Sequence, residues 1–318
     1  MARFVRKGHQ AAANAVVPLP VRDGVAPSYL WITEDRPGGM LAFLEARFAD
    51  VAGPPWAERL ARGDVVDAQG ARLAPDTHVR QGMRIWYYRE LEHETPIPFQ
   101  ESVLHLDEHL LVADKPHFLP TIPTGRFLRE TLLVRLKRRP DLAHLDLSHL
   151  VPIHRLDRET AGVVIFSHNP ATRGAYQSMF QKRVVNKTYE AIAPLLPGRD
   201  FPFTYRSRMV DGDKFFVMRE EAGEPNSETL VELVARHGGL AHYRLHPHTG
   251  RKHQLRLHMA SLGAPILNDA FYPMALPCKG DDFSSPLQLL ARAIAFTDPL
   301  TGGERRFESR LRLDWPAA

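Results

Sequence analysis

Cysteine is all but absent: Cys278 is the single one in 318 residues, and one thiol cannot form a disulfide within its own chain. A disulfide-stapled secreted scaffold is thereby excluded, and a reducing, cytoplasmic compartment is expected. No segment approaches the roughly 18–20 consecutive apolar residues that a membrane-spanning helix needs, so no membrane partner is expected. The N-terminus carries Arg3, Arg6 and Lys7, but Gly8, His9 and Gln10 stand where an export signal needs an apolar run, and no such signal is read. Also missing are a G-x-x-x-x-G-K-[ST] loop, a G-x-S-x-G elbow and a G-x-G-x-x-G turn, which removes the usual support for nucleotide hydrolysis, lipase-type acyl transfer and dinucleotide redox chemistry. Metal ligation is poorly provided for, because His253 and His258 are five apart, no Glu follows His253 and there is no Cys pair. No metal is expected. Cys278, beside Pro277 and Lys279 in an expected loop, has nothing to mark it as a nucleophile.

What is present is an ordinary globular composition, 44% hydrophobic and 25% charged, on a length that predicts about two domains. The 41 Lys and Arg exceed the 37 Asp and Glu by four. That small excess is concentrated in three runs. Arg126, Arg129, Arg135, Lys137, Arg138 and Arg139 face Glu130 alone, while Arg173, Lys182, Arg183 and Lys187 form one acid-free run and Arg244, Arg251, Lys252 and Arg256 another. Such runs flanking candidate site segments point to a polyanionic partner.

Residues 1–26 show no period and predict a flexible N-terminal arm. Residues 27–95 predict a small α+β module, with helices over Met40–Phe48 and Trp56–Arg62 and strands over Asp64–Ala68 and Arg84–Tyr88. The stretch Glu94–Pro98, with two prolines two apart, predicts a linker. Residues 96–318 predict one larger domain. Its expected elements are a hairpin over Val103–Leu106 and Leu110–Ala113, a buried strand over Ala161–Ser167, and a helix capped by Asn169 and running to Lys182. Strands are expected over Val184–Ile192 and Tyr243–His246, and a helix capped by Thr249 over Lys252–Leu262. There is no sustained strand–helix repeat, so the fold class is α+β rather than a doubly wound parallel sheet.

Two segments combine groups able to carry chemistry. In His154–Gly162, Asp157 stands between Arg155 and Arg158 just before the buried strand, where positive charge favours its ionised form. A salt-bridged surface turn explains this spacing equally well. In His248–His258, a Gly-containing turn with Arg251 and Lys252 feeds a helix N-terminus, an arrangement suited to phosphate.

Together these segments resemble the RluA-type family of pseudouridine synthases. The signature H-R-L-D-x-x-T-S-G is matched by His154–Gly162 with Ala161 where Ser is usual. A strand Lys-x-Tyr is matched by Lys187-Thr188-Tyr189. T-G-R-x-H-Q-[IL]-R-x-H and L-G-x-P-I-x-x-D-x-x-Y are matched by Thr249–His258 and Leu262–Tyr272. The likeness extends over residues 100–315, from Asp114-Lys115-Pro116 to Phe296-Thr297-Asp298-Pro299. More weakly, Glu58–Val65 and Arg80–Ile85 resemble a basic RNA-binding domain, with Met83 replacing an Asp.

The resemblance implies a largely antiparallel mixed sheet and an isomerase that converts uridines of structured RNA to pseudouridine without cofactor. By the same resemblance, Asp157 is the catalytic carboxylate, Arg256 pairs with it, and Tyr189 stacks on the base with a hydroxyl available for proton transfer. Arg155 fills the gap left by the extruded uridine. His154, Lys187, Arg251, Lys252, Arg126 and Arg183 are expected to contact RNA. Large-subunit ribosomal RNA is the expected target and transfer RNA the alternative. A catalytically silent RNA-binding or assembly protein is a second reading, and oligomeric state is left open with a monomer favoured. Leu290 and Phe118, standing at or near positions where relatives carry His and Gly, remove no catalytic group.

Overall fold

The computed structural model describes residues 17–49, 53–214, 216–276 and 282–315, and Cys278 lies outside them. The chain divides after Glu94 into two units, each with its own core.

The smaller unit comprises β1 (Ser28–Trp31), β2 (Arg36–Gly39), α1 (Met40–Arg47), α2 (Trp56–Ala61), β3 (Val65–Val66), β4 (His78–Val79) and β5 (Arg84–Tyr87). Strands β1, β5 and β3 form an antiparallel sheet, and β2 pairs with β4. Met40, Leu44, Trp56, Leu60, Val65 and Ile85 make its core. Two expectations change here. Residues 17–26 are not a loose arm: Arg22 pairs with Asp64 at 2.8 Å and covers the Tyr88 ring, whose hydroxyl donates to Pro20 O at 2.9 Å. Nor is the unit basic. Residues 1–94 carry twelve Lys and Arg against twelve Asp and Glu, and Arg59 lies buried over the Trp56 ring at 3.6 Å, donating to Tyr88 O.

The larger unit adds β6 (Ser102–Leu106), β7 (Leu110–Lys115), α3 (Leu132–Arg138), β8 (Val151–Pro152), β9 (Ala161–Ser167), α4 (Pro170–Lys182), β10 (Asn186–Pro194), β11 (Phe203–Asp211), β12 (Met218–Glu221), β13 (Ser227–His237), β14 (Leu240–Pro247), α5 (Gln254–Ser261), β15 (Leu289–Thr297) and β16 (Glu304–Glu308). The sheet order is β12-β11-β13-β14-β10-β15-β9-β7-β6, with β16 beside β15 and β8 beside β9. All its pairings are antiparallel except β15 with β9. The fold is the α+β, largely antiparallel type.

Burial follows coverage. Every residue of β7 and β9 is buried because both faces are covered: Leu111, Ala113, Val164 and Phe166 pack with α3, and Leu110, Val112, Val163 and Ile165 pack with Tyr176 and Met179 of α4. Strand β14 alternates, because α5 covers one face while Arg244 and His246 stand on the other. Asn169 caps α4 by accepting from Ala171 N at 3.0 Å, and Arg183 ends it in a left-handed conformation. Ile97, inside the expected linker, is buried in the α3-side core, so that stretch is part of the larger unit.

One glycine is demanded by the parallel joint. Gly162 has φ +114°, and a Cβ there would lie 2.2 Å from Ala291 O on β15. The joint sets β9, and the turn before it, one strand away from β10.

Candidate active site

The turn from His154 to Thr160 is pinned from beneath. Lys115, fully buried, donates from Nζ to Pro116 O (3.0 Å), Leu119 O (2.8 Å) and Arg158 O (3.0 Å). Burial pulls its pKa down to about 7, against the pull of Glu159 and Asp157. Thr121 Oγ1 accepts from Leu156 N and donates to Leu156 O, closing the turn on the other side of Asp157. His154 serves the same turn: Nε2 accepts from Ile165 N at 3.1 Å and the ring stacks on Phe180 at 4.9 Å. Burial holds this ring neutral, its pKa pulled down to about 3, so His154 braces β9 rather than meeting RNA as a cation. Arg158 turns away from Asp157, donating to Phe118 O at 3.0 Å and lying 3.5 Å from Glu159. Arg155 is exposed.

The Asp157 carboxylate remains partly open, with 26% of its side chain exposed, while Arg256 and His253 beside it are almost fully enclosed. Oδ2 lies 3.7 Å from His253 Nε2 and 3.9 Å from Arg256 Nη1. Arg256 faces Asp157 as the sequence expectation has it, but its hydrogen bonds go to a second carboxylate. Its Nε and Nη2 donate to both oxygens of Asp269 at 2.8 and 2.6 Å, and its guanidinium lies over the Phe271 ring at 4.8 Å. Burial opposes the Arg256 charge, and the Asp269 carboxylate outweighs it, so its pKa is raised. Asp157 therefore faces Nη1 of a guanidinium that is held in place through Nε and Nη2 by Asp269.

Tyr189 enters from β10 at a register shift against β15 between Thr188 and Tyr189, the kind of irregularity that re-aims a side chain. It packs against both cores on the α5 side of the sheet. Burial, with the Asp157 charge adding to it, pushes its phenol well above the ordinary value, so it keeps its proton and is poorly suited to act as a base.

The α5 entry is built differently from the expectation. The helix begins at Gln254, and Thr249 does not cap it. Thr249 Oγ1 accepts from Glu228 N (2.9 Å) and donates to Gln254 Oε1 (2.7 Å), while Gln254 Nε2 donates to Glu228 O (2.9 Å). Lys187 Nζ donates to Thr249 O at 3.2 Å, which places that cation at the same turn. Burial and Arg183 both lower its pKa.

Arg251 and Lys252 are exposed at the α5 entry, Arg126 is exposed in the Thr124–Phe127 turn, and Arg183 is exposed at the end of α4. The 126–139 run is less free than its sequence suggests. Arg135 pairs with Glu130 and Glu101, Arg139 with Asp141 at 2.7 Å, and Lys137 donates to Ser148 O. Sequence reasoning missed Lys115, His253, Asp269 and Tyr272 as members of the site. All four lie inside the matched motifs, so the signal was there, but their roles depend on contacts across the fold. No group of three or more potential metal ligands occurs among the described residues.

The model of the family described as RNA pseudouridylate synthase matches residues 109–261, which span the Asp157 turn, Tyr189 and all of α5. The chain is 30% identical over 223 residues to the dual-specificity RNA pseudouridine synthase RluA of Salmonella typhi, covering 65% of this chain and 91% of that protein. The chain belongs to the RluA-type pseudouridine synthase family. This enzyme is an RNA pseudouridine synthase, an isomerase. It is also 28% identical over 239 residues to an uncharacterized RNA pseudouridine synthase of Synechocystis, covering 73% of this chain and 79% of the relative. The solved human RNA pseudouridylate synthase domain containing 4 superposes with a TM-score of 0.52 at 26% identity, covering 66% of the synthase and 88% of that chain.

Proposed function

We propose that this synthase isomerises uridines of structured RNA with Asp157 as the reacting carboxylate, the large-subunit ribosomal RNA being its target. The reaction breaks N1–C1′, joins C5 to C1′, and moves the C5 proton to solvent while N1 gains one. It is redox-neutral, so no external cofactor is needed. The observation that carries the reading is the Asp157 carboxylate, open on one side to a substrate and backed on the other by the enclosed His253 and Arg256. Such a carboxylate can approach a sugar or base that has left its helical stack.

In this reading Arg256 presents a fixed positive charge to Asp157, and Tyr189 offers its ring to the base and its retained proton as a donor. Arg155, exposed on the same turn, fills the space that the uridine vacates. Lys187, Arg251, Lys252, Arg126 and Arg183 meet phosphates. The smaller unit, being charge-balanced, contributes RNA contacts by shape and hydrogen bonding more than by net attraction. A cytoplasmic location fits an RNA substrate.

The test is pseudouridine mapping of total RNA from cells with and without the gene, then treatment of the unmodified RNA with purified protein. A site in large-subunit RNA should vanish on deletion and return with wild type. With Asp157→Asn, RNA should still bind but turnover should fall by at least about 10³-fold, the scale of losing a reacting group. Sites confined to transfer RNA would move the target assignment, and bound RNA with no site changed would favour a silent binder.

A further inference from the structure

We infer that His253, held as its Nε2–H tautomer by Tyr272, is a positioning residue that steers the Asp157 carboxylate. The inference rests on the reading of Asp157 as the reacting group and adds to it a residue with a defined proton.

The backbone is the first sign. His253 sits at φ 56° and ψ 20°, a left-handed conformation that is uncommon for any residue with a Cβ. It stands at the N-cap of α5, where a capping residue would hold the helix start with its side chain, yet it makes no such bond. The turn instead carries the imidazole inward, leaving the residue 8% exposed and its ring 5.5 Å from that of Phe271. A left-handed residue that gives up its cap and enters a buried site is placed there for its ring.

The hydrogen bonds then fix where the ring proton lies. Tyr272 Oη accepts from Met218 N at 2.8 Å and lies 3.0 Å from His253 Nδ1. Burial pushes the Tyr272 phenol up to about 12, so it keeps its proton, and Nδ1 is the acceptor in line for it. With Nδ1 accepting, the neutral imidazole carries its proton on Nε2, which faces Asp157 Oδ2 at 3.7 Å. The groups facing the ring are Asp157 on its turn, Asp269 ahead of Tyr272, and Lys252 and Arg256 on either side in the α5 segment. Burial outweighs their sum and holds the ring neutral, its pKa near 4.

Two side-chain donors approach Asp157 among the described residues, His253 Nε2 at 3.7 Å and Arg256 Nη1 at 3.9 Å. Arg256 offers charge at 3.9 Å, but two of its N–H groups are taken by Asp269. The His253 N–H is the nearer of the two and is the one whose orientation Tyr272 sets, so it can select one carboxylate oxygen and leave the other facing the substrate. Closing 3.7 Å to hydrogen-bond length needs a shift of under an ångström, of the size that separates free from substrate-bound sites.

The experiment follows release of tritium from RNA transcribed with 5-tritiated uridine, using large-subunit and pooled transfer RNA as probes, under single-turnover conditions from pH 5 to 9. Four full-length variants are compared: Asp157→Asn, His253→Phe, His253→Gln and Tyr272→Phe. The Gln amide puts an N–H near the position of Nε2, whereas Phe fills the volume without one. His253→Phe should slow turnover about 10- to 100-fold with RNA affinity within about 3-fold, the effect of losing one hydrogen bond to a charged group. Its acid limb should move to higher pH, because the carboxylate loses a donor to its ionised form. His253→Gln should recover to within about 5-fold of wild type and return the limb.

Tyr272→Phe should lose rate as well, because the tautomer is no longer fixed. In the His253→Gln background that loss should disappear, since an amide has no tautomer to set. This comparison decides the matter even where His253→Phe does not fold. Equal impairment of Phe and Gln with an unmoved limb, or an undiminished Tyr272 effect in the Gln background, overturns the inference and leaves His253 a packing residue. Retained turnover in Asp157→Asn instead overturns the assignment of Asp157 itself.

Discussion

Replacing Asp269 by Asn isolates the charge that anchors Arg256. Asn keeps an oxygen in the place of Oδ1, which accepts from Phe271 N at 2.8 Å and Tyr272 N at 3.1 Å, so the local turn retains its bonds. What is lost is the negative charge, and an amide N–H₂ now confronts the Arg256 donors. Both side chains are buried, at 1% and 0% exposure. Removing one partner of such a pair leaves an uncompensated buried cation, a loss of about 3–5 kcal/mol. At about 2–4 °C per kcal/mol for a unit of this size, the melting temperature should fall by about 6–20 °C. Calorimetry at neutral pH measures this, alongside Arg256→Met and the double variant Arg256→Met/Asp269→Leu. The double variant should be less destabilised than the two single effects summed, because no charge is stranded. A fall under about 3 °C, or strict additivity in the cycle, would refute the view that this pair carries the site's rigidity.

Other outcomes follow from neighbouring groups. Lys115 has a folded pKa of about 7 against 10.5 unfolded, so burial of its charge weighs on stability fully below pH 7 and is relieved as pH rises from there. The stability of wild type relative to Lys115→Met should therefore climb between pH 7 and 10 in denaturant titrations, and a flat difference would mean that the ammonium is fully compensated by its three carbonyls. Phe118 occupies a left-handed conformation at φ +66° while packing on Phe99 and Phe283. Phe118→Gly should relieve about 1–2 kcal/mol of backbone strain and lose about 3–5 kcal/mol of packing, for a net loss near 2–3 kcal/mol by denaturant unfolding. Net stabilisation would show the aromatic contacts to be worth less than the strain.

Much of the larger unit was legible because its signals are local. The apolar run of β9 and the Asn169-Pro170 start of α4 need nothing beyond their own residues, and both elements stand at the expected bounds. The α5 start was misread since Thr249 looks like a cap in sequence, while its hydroxyl is committed to Glu228 and Gln254, one of them some twenty residues earlier. The second Arg256 partner was missed for a similar reason: the motif names a cation and a carboxylate, and Asp269 becomes the nearer carboxylate only once the chain after α5 folds back. Charge runs were overread, as Arg135 and Arg139 answer acids and carbonyls brought in by the chain around residues 97–101 and 141. The role of His253 was not legible because its ring partner Tyr272 lies 19 residues further on and meets it only in the fold. Ala161 and Leu290, two of the departures from the motif pattern, are direct partners across the parallel joint and both are buried there.

That joint also imposes an order on biosynthesis. The Asp157 turn leads into β9 and Tyr189 rides on β10, yet in the sheet order the two strands are joined through β15, which begins only at Leu289. A ribosome that has released residues up to α5 has therefore already made Asp157, Tyr189, His253 and Arg256 without the strand that spaces them. Pairings of such long sequence separation form late and slowly. The spacing of the Asp157 turn against Tyr189 is therefore set only when β15 joins the sheet.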